Sequence, residues 1–221
     1  MRYEADLERM EGRWIGYVRD LPGCFASAES RVTCVAALPE AVREYREWSG
    51  LPMDAAVEVA VGESHLGWLL DEDYEVNAFF AADRPPLSAE DAERGLRLLD
   101  LARRDLLATV APLSPEERQR EVEDGWSVER ILGHVGGAEW WYLDRLDLAP
   151  PRDAAPDDAL DRLAFSRRHL VAALLRLAGS DLVTEPRMEL WSPRKLLRRA
   201  LWHERDHTVH IQRFAAALRR S

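Results

Sequence analysis

The sequence predicts an α+β chain of two domains, a small α+β domain over residues 1–86 and an all-α four-helix bundle over residues 87–221. Three observations predict this: apolar residues alternate with period two in the first part, they recur at helical spacing in the rest, and the stretch DRPPLSAED stands between the two patterns.

RYEADLE and RWIGYVR alternate polar and apolar residues around RMEGR, with Gly12 at the turn, which is a hairpin pattern. LPGCFASAES turns at Pro22-Gly23 and supplies a third short strand. From about Ser30 to Trp48 the spacing is helical, with Val35, Leu38, Val42 and Tyr45 on one side, and Pro39 is expected to kink or split that helix. AVEVAVGE and YEVNAFFAAD return to strand character. Pro85 and Pro86 stop what precedes them, and Ser88 with Asp91 three residues on opens a new helix as in a capping box. That helix covers 89–111, a polar connection follows in LSPEERQREVEDG, a second helix runs from Ser127 to about Leu148, and a third spans about 157–179. The fourth starts at Ser192, with Pro193 in the favoured first position. Four amphipathic helices of this length suggest a bundle.

Composition narrows the function classes. At 221 residues and 47% hydrophobic content the chain can bury a full core or two modest ones. It has no run of about 18 apolar residues, and its start lacks the apolar middle of a signal peptide, so the expectation is a cytoplasmic protein with no membrane partner. Cys24 and Cys34 are too few for a disulfide framework and read as reduced thiols. Residues 1–86 carry 17 acidic and 8 basic side chains, a net of −9, against −1 for the remainder. Such a field repels phosphate backbones and argues against nucleic acid as a partner.

RALWHERDHTVHIQRF places His203, His207 and His210 within eight positions. With His203 at zero on a helical wheel of about 100° per residue, His207 falls at about 40° and His210 at about −20°, among Leu196, Ala200, Phe214 and Leu218. The histidines therefore face the bundle interior, where unpartnered imidazoles cost a few kcal/mol. Two histidines four residues apart aim at one point, the spacing found at zinc and related sites. The facing helix offers His134 in ERILGHVGGAEWW, with Gly133, Gly136 and Gly137 positioned to let another helix approach. Three neutral imidazoles leave a position open, as catalytic sites do; the other reading is a set of histidines bonded to one another and to backbone. His210 is read as a partner behind the metal or a proton carrier, with a satisfied core histidine as the alternative. Glu139 lies about 140° from His134 and is not expected to reach the same ion. Trp140, Trp141 and Trp202 are read as core and rim packing, and His65 and His169 as structural.

WSVERILGHVGGAEWWYLDRL followed by LRRALWHERDHTVHIQRF resembles the DinB-like superfamily of metal-binding four-helix bundles, which includes YfiT-like proteins and mycothiol-dependent maleylpyruvate isomerases. The resemblance covers about residues 88–221 and implies that His134, His203 and His207 ligate a divalent metal, zinc, nickel or iron. It also implies a thiol-dependent transferase or isomerase acting on a small molecule, with a low-molecular-weight thiol as a second cofactor. GRWIGYVRDLPGCFASAESRVTCVAALPEAVREYREW resembles the HicB-like antitoxin domain, with its DLPGC turn at Asp20–Cys24. That family's usual partner is a small basic toxin ribonuclease, which suits the acidic surface. Such antitoxins commonly continue into a DNA-binding helical module, whereas a bundle follows here. The resemblance therefore implies a packing or homodimerisation module in preference to toxin capture. The rival to the enzyme is a non-catalytic binding protein whose HicB-like part captures a protein partner and whose metal is structural.

Overall fold

Arg2–Met10 (β1) and Arg13–Val18 (β2) pair antiparallel, with Met10 opposite Arg13. The computed structural model describes residues 1–53, 56–121 and 125–218. The two turn residues, Glu11 and Gly12, have φ of 52° and 77°, the doubly positive pair that a two-residue type I′ hairpin requires. Phe25–Ala28 (β3) adds to β2, and Glu58–Leu66 (β4) returns parallel to β1, giving the order β3-β2-β1-β4. Arg31–Trp48 (α1), capped by the Ser30 side chain, lies between β3 and β4 in sequence and packs on the sheet. The expected split at Pro39 does not occur, for α1 continues through it. Proline removes one hydrogen bond and costs about 3 kcal/mol in a helix interior. Leu38 and Val42, both fully buried beside it, offset this at about 1.5–3 kcal/mol each.

Trp68–Asp71 (β5) and Tyr74–Val76 (β6) form a separate two-stranded hairpin. The longer strand expected over YEVNAFFAAD ends at Val76. The carbonyls that follow are drawn to the last helix instead: Lys195 Nζ donates to Asn77 O at 3.2 Å and Arg198 donates to Ala78 O at 3.1 Å.

The bundle comprises Ala89–Val110 (α2), the short Pro115–Gln119 (α3), Val128–Asp144 (α4), Ala159–Leu177 (α5) and Pro193–Leu218 (α6). Side chains of Ser88, Ser114, Ser127 and Asp158 cap the first four. The five-residue α3 interrupts what the sequence presents as a plain connection, and its signature was present in Ser114 and Glu117, a reciprocal capping box. The helix α4 stops short of Leu148 in a Schellman arrangement: Asp147 at φ 56°, Leu148 N to Leu143 O at 2.9 Å and Asp147 N to Asp144 O at 3.1 Å. No helix among the described residues is long and apolar enough to cross a membrane.

The sheet is buried on both faces. Ala5, Leu7 and Val18 share a core with Leu38 of α1. On the opposite face Met10, Ile15 and Tyr17 meet Trp202 of α6, with Phe80 between. One apolar cluster extends from Tyr3 to Leu201 and so joins the strand-rich part to the helices. The Pro22-Gly23 turn rests on α6, where a Cβ at Gly23 would lie 3.1 Å from that of Leu201. Polar ties reinforce the joint. Arg198 binds Asp83 at 2.7 and 3.0 Å, Trp48 Nε1 donates to Asp105, and Arg205 donates to Gly23 O and covers the Trp48 ring at 4.1 Å.

Both cysteines are free and buried inside the strand-rich part. Burial pushes the Cys24 thiol up to about 12 and that of Cys34 up to about 11. Well below pH 9 both are protonated whether the chain is folded or not; from about 8 up to these raised values the unfolded chain ionises progressively while the folded one does not, so alkali favours unfolding. Iodoacetamide at pH 8.5 is expected to label neither thiol in the native protein and both in denaturant, read by intact mass; rapid native labelling would contradict this.

Candidate metal centre

Residues 203 and 207 stand one turn apart on α6, and α4 brings His134 opposite them. One potential ligand atom from each of the three lies within 4.8 Å of the others. His203 Nε2 is 3.0 Å from His134 Nε2 and 3.1 Å from His207 Nε2. A ring nitrogen presents in its plane either one hydrogen or one lone pair. Nε2 of His203 therefore cannot satisfy both neighbours by hydrogen bonding. An ion accepting three lone pairs can: nitrogens about 2.0–2.1 Å from a tetrahedral zinc are themselves about 3.3 Å apart.

The protonation states agree. Burial, followed by the charges of His207 and His134, holds His203 well below the usual histidine range. Burial, followed by His134, lowers His207 to about 3, and burial also lowers His134. All three are neutral near pH 7 and free to ligate. The three histidines thus fit a divalent ion. His207 Nδ1 is buried with no hydrogen-bond partner among the described residues.

The cluster lies against a cleft of about 860 Å³, in the size range of small-molecule sites. His134 is the exposed member, while His203 is buried at 8% exposure. The tryptophans read as packing residues are corrected in part. Trp202 is a core residue, but it, Trp140 and Trp141 also line the cleft. The reason is that the β5–β6 hairpin and the β1–β2 turn, assigned by the sequence to a separate domain, form the opposite wall through Tyr74, Glu11 and Arg13. Arg13 is fixed by a bidentate pair with Asp206 at 2.7 and 3.1 Å. Of the three glycines, Gly136 alone meets the backbone of another helix, a Cβ there lying 3.1 Å from Leu163 N of α5. Gly133 has only side-chain atoms at 3.9 Å and Gly137 has open space.

The model of the DinB superfamily matches residues 98–211, just over half of the chain and spanning all three histidines. The chain belongs to the DinB superfamily. Two solved structures resemble it. TT2238, a four-helix bundle protein, is 21% identical with a TM-score of 0.46, over 55% of this chain and 98% of that one. YfiT from Bacillus subtilis, described as a probable metal-dependent hydrolase with an unusual four-helix bundle topology, is 18% identical with a TM-score of 0.46, over 61% of this chain and 91% of that one. No curated protein matches.

In this DinB-superfamily chain the remaining predicted residues lie as follows. His210 stacks on His207 with ring centroids 5.9 Å apart and packs edge-on against Phe214 at 4.8 Å, outside the three-nitrogen group. His65 sits 3.2 Å from Glu63, and His169 packs on Phe165. Glu139, set aside as a ligand, is buried beneath the site with Glu204. Between them stand two guanidiniums. Arg103 reaches Glu204 at 2.5 Å and Glu139 at 3.2 Å, while Arg167 donates to both carboxylates. The remaining donors meet backbone: Arg103 Nη1 to Leu163 O at 2.9 Å and Arg167 Nη1 to Leu99 O at 2.6 Å. Each of α2, α4, α5 and α6 supplies one member. Sequence reasoning missed this group because charged residues on a helix face normally signal solvent.

Removing one partner of such a buried pair costs about 3–5 kcal/mol. Glu204→Ala is therefore expected to lose about that much in urea unfolding, because two guanidiniums are left facing one carboxylate. A loss under about 1 kcal/mol would show that the group does not hold the helices.

Proposed function

We propose that this chain is a divalent-metal protein in which His134, His203 and His207 hold the ion beside the cleft, and that it acts on a small molecule as a thiol-dependent transferase or isomerase. One observation carries the reading: three neutral imidazole nitrogens converge on a point beside an open cleft, with His203 Nε2 unable to serve both neighbours. A closed structural site would use up its donors away from solvent. A divalent ion so held supplies a Lewis acid that lowers the pKa of a thiol or water ligand toward about 7.

The chain's own residues do the rest. His203 and His207 are locked in register by the helix they share. Arg13, fixed on Asp206, holds the β1–β2 turn over the site, and the aromatic wall excludes water from one side. The thiol comes from outside, since Cys24 and Cys34 are buried against Ala41 O and Ala26 O between the sheet and α1 and are held protonated there.

A second reading treats the strand-rich part as a HicB-like module that captures a basic protein, with the metal structural. Its support is the acidic surface of residues 1–86, net −9. Against it, the DLPGC turn and the sheet face are covered by α6, which favours a packing role.

His134→Ala and His207→Ala are each expected to bring bound divalent metal well below stoichiometry, measured by elemental analysis of the purified protein; full occupancy in His207→Ala would overturn the ligand set. With cobalt in place of the native ion, a low-molecular-weight thiol (mycothiol, bacillithiol or glutathione) is expected to shift the absorption bands, a thiolate being the better ligand. Spectra unchanged by all three at saturation would remove the thiol-dependent chemistry and leave the structural-metal reading.

A further inference from the structure

Arg199 stands one turn before His203 on the same face of α6. It is 6% exposed and lines the same cleft. A buried cation is costly, and protein interiors normally meet one with a carboxylate. Here a thioether, that of Met10, accepts from Nη1 at 3.0 Å, no carboxylate among the described residues pairs with the guanidinium, and Nε has no hydrogen-bond partner among them. The carboxylates whose charge it feels, Glu8 and Glu189, are engaged elsewhere. Glu8 accepts from Tyr17 Oη at 3.3 Å and Ala78 N at 2.5 Å, and Glu189 accepts from Lys195 Nζ at 2.7 Å and from Tyr74. The hydroxyls of Tyr17 and Tyr142 also lie against the guanidinium and interact with it, but burial keeps both neutral, so neither supplies a charge to match it. Both faces of the cation are covered, by Trp202 at 4.6 Å and Tyr142 at 5.8 Å. Cation–π contact engages the faces of a guanidinium and not its in-plane donors, among which Nε has no hydrogen-bond partner among the described residues. Arg13, across the same cleft, differs in having its fork filled by Asp206.

We propose that Arg199 is the anion-binding group of this cleft and that the molecule taken there is a monocarboxylate with a planar, apolar body, its carboxylate on Arg199 and its body against the tryptophan wall. The inference deepens the reading of the cleft as a small-molecule site and rests on it. The fork of a guanidinium matches two carboxylate oxygens. Trp140, Trp141 and Trp202 supply flat apolar walls. The opposite wall carries Glu11, Glu72, Asp73 and Glu75. These four carboxylates outnumber Arg152 and Arg13 in the same lining, the latter already paired with Asp206, and so oppose a phosphate ester or other polyanion, whereas a single negative charge is met by Arg199. Four residues, about 6 Å along α6, separate Arg199 from His203. A molecule anchored by its carboxylate thus extends toward the three ring nitrogens.

The test uses the full-length, metal-stripped protein, titrated with phenylacetate, with neutral phenylacetamide and with phenyl phosphate, and read by tryptophan fluorescence and calorimetry. Phenylacetate is expected to bind about tenfold or more tightly than the other two, the worth of hydrogen bonds to a charged group. In Arg199→Met phenylacetate affinity is expected to drop to that of the amide, with the amide unchanged, and Arg199→Lys is expected to recover part of the loss. The acid–amide comparison in the unaltered protein needs no variant to fold. Equal affinity for acid and amide, tighter binding of phenyl phosphate, no saturable binding of phenylacetate, or an affinity indifferent to Arg199→Met would each overturn the proposal. Binding that arises only on adding zinc and ignores Arg199 would make the metal the anion receptor, overturning this proposal and leaving the metal site intact. Arg199-dependent binding in a protein that takes up no metal would sink the metal site alone.

Discussion

Two carboxylates placed inside a helical bundle are costly unless cations reach them, and the pairing of Glu139 and Glu204 with Arg103 and Arg167 is the constraint on which the rest of the structure depends. Each member comes from a different helix of α2, α4, α5 and α6, so the group sets the rotation of all four at once. Buried ion pairs contribute little net stability compared with apolar packing, but leaving one member unpaired is severely costly. That asymmetry makes alternative helix rotations unfavourable. Glu204 follows His203 directly and Glu139 lies within two turns of His134, so the rotation that satisfies the carboxylates is also the one that makes the ring nitrogens converge.

The last helix carries the remaining burden. One side of α6 holds Arg199, His203 and His207 at intervals of four, while Leu197 and Leu201 enter the large core and Trp202 fills the far face of the sheet. Over residues 193–204 this helix is buried on nearly every side, and such a segment cannot shift to suit one neighbour without disturbing the others. The strand-rich part therefore belongs to the site's architecture. It closes the cleft with the β1–β2 turn and the β5–β6 hairpin and fixes the former through Arg13 and Asp206.

Electrostatically the cleft is uneven. The histidines are neutral, Arg199 brings to the interior a charge with no carboxylate bonded to it among the described residues, and carboxylates line the wall that the strand-rich part provides. Such a division selects by charge number and position together, since desolvation strengthens the inner contact while solvent screens the outer ones.

The sequence by itself determined the fold class, the four long helices with their serine and aspartate caps, and the inward direction of His203 and His207. These follow from local periodicity and from side chains bonding to backbone three residues away, which are interactions within reach along the chain. His134 was legible for a similar reason, as a lone histidine on the helix expected to face α6. Only the tertiary structure decided the rest. Pro39 stayed within α1 because burial of its neighbours outweighs one lost hydrogen bond, and YEVNAFFAAD shortened to a three-residue strand because Lys195 and Arg198 claim its carbonyls. The buried ion group, the cleft's second wall and the setting of Arg199 against Met10 join residues from about 30 to nearly 200 positions apart. A charged side chain reads the same in sequence whether it meets water, a carboxylate or nothing, and only packing determines which.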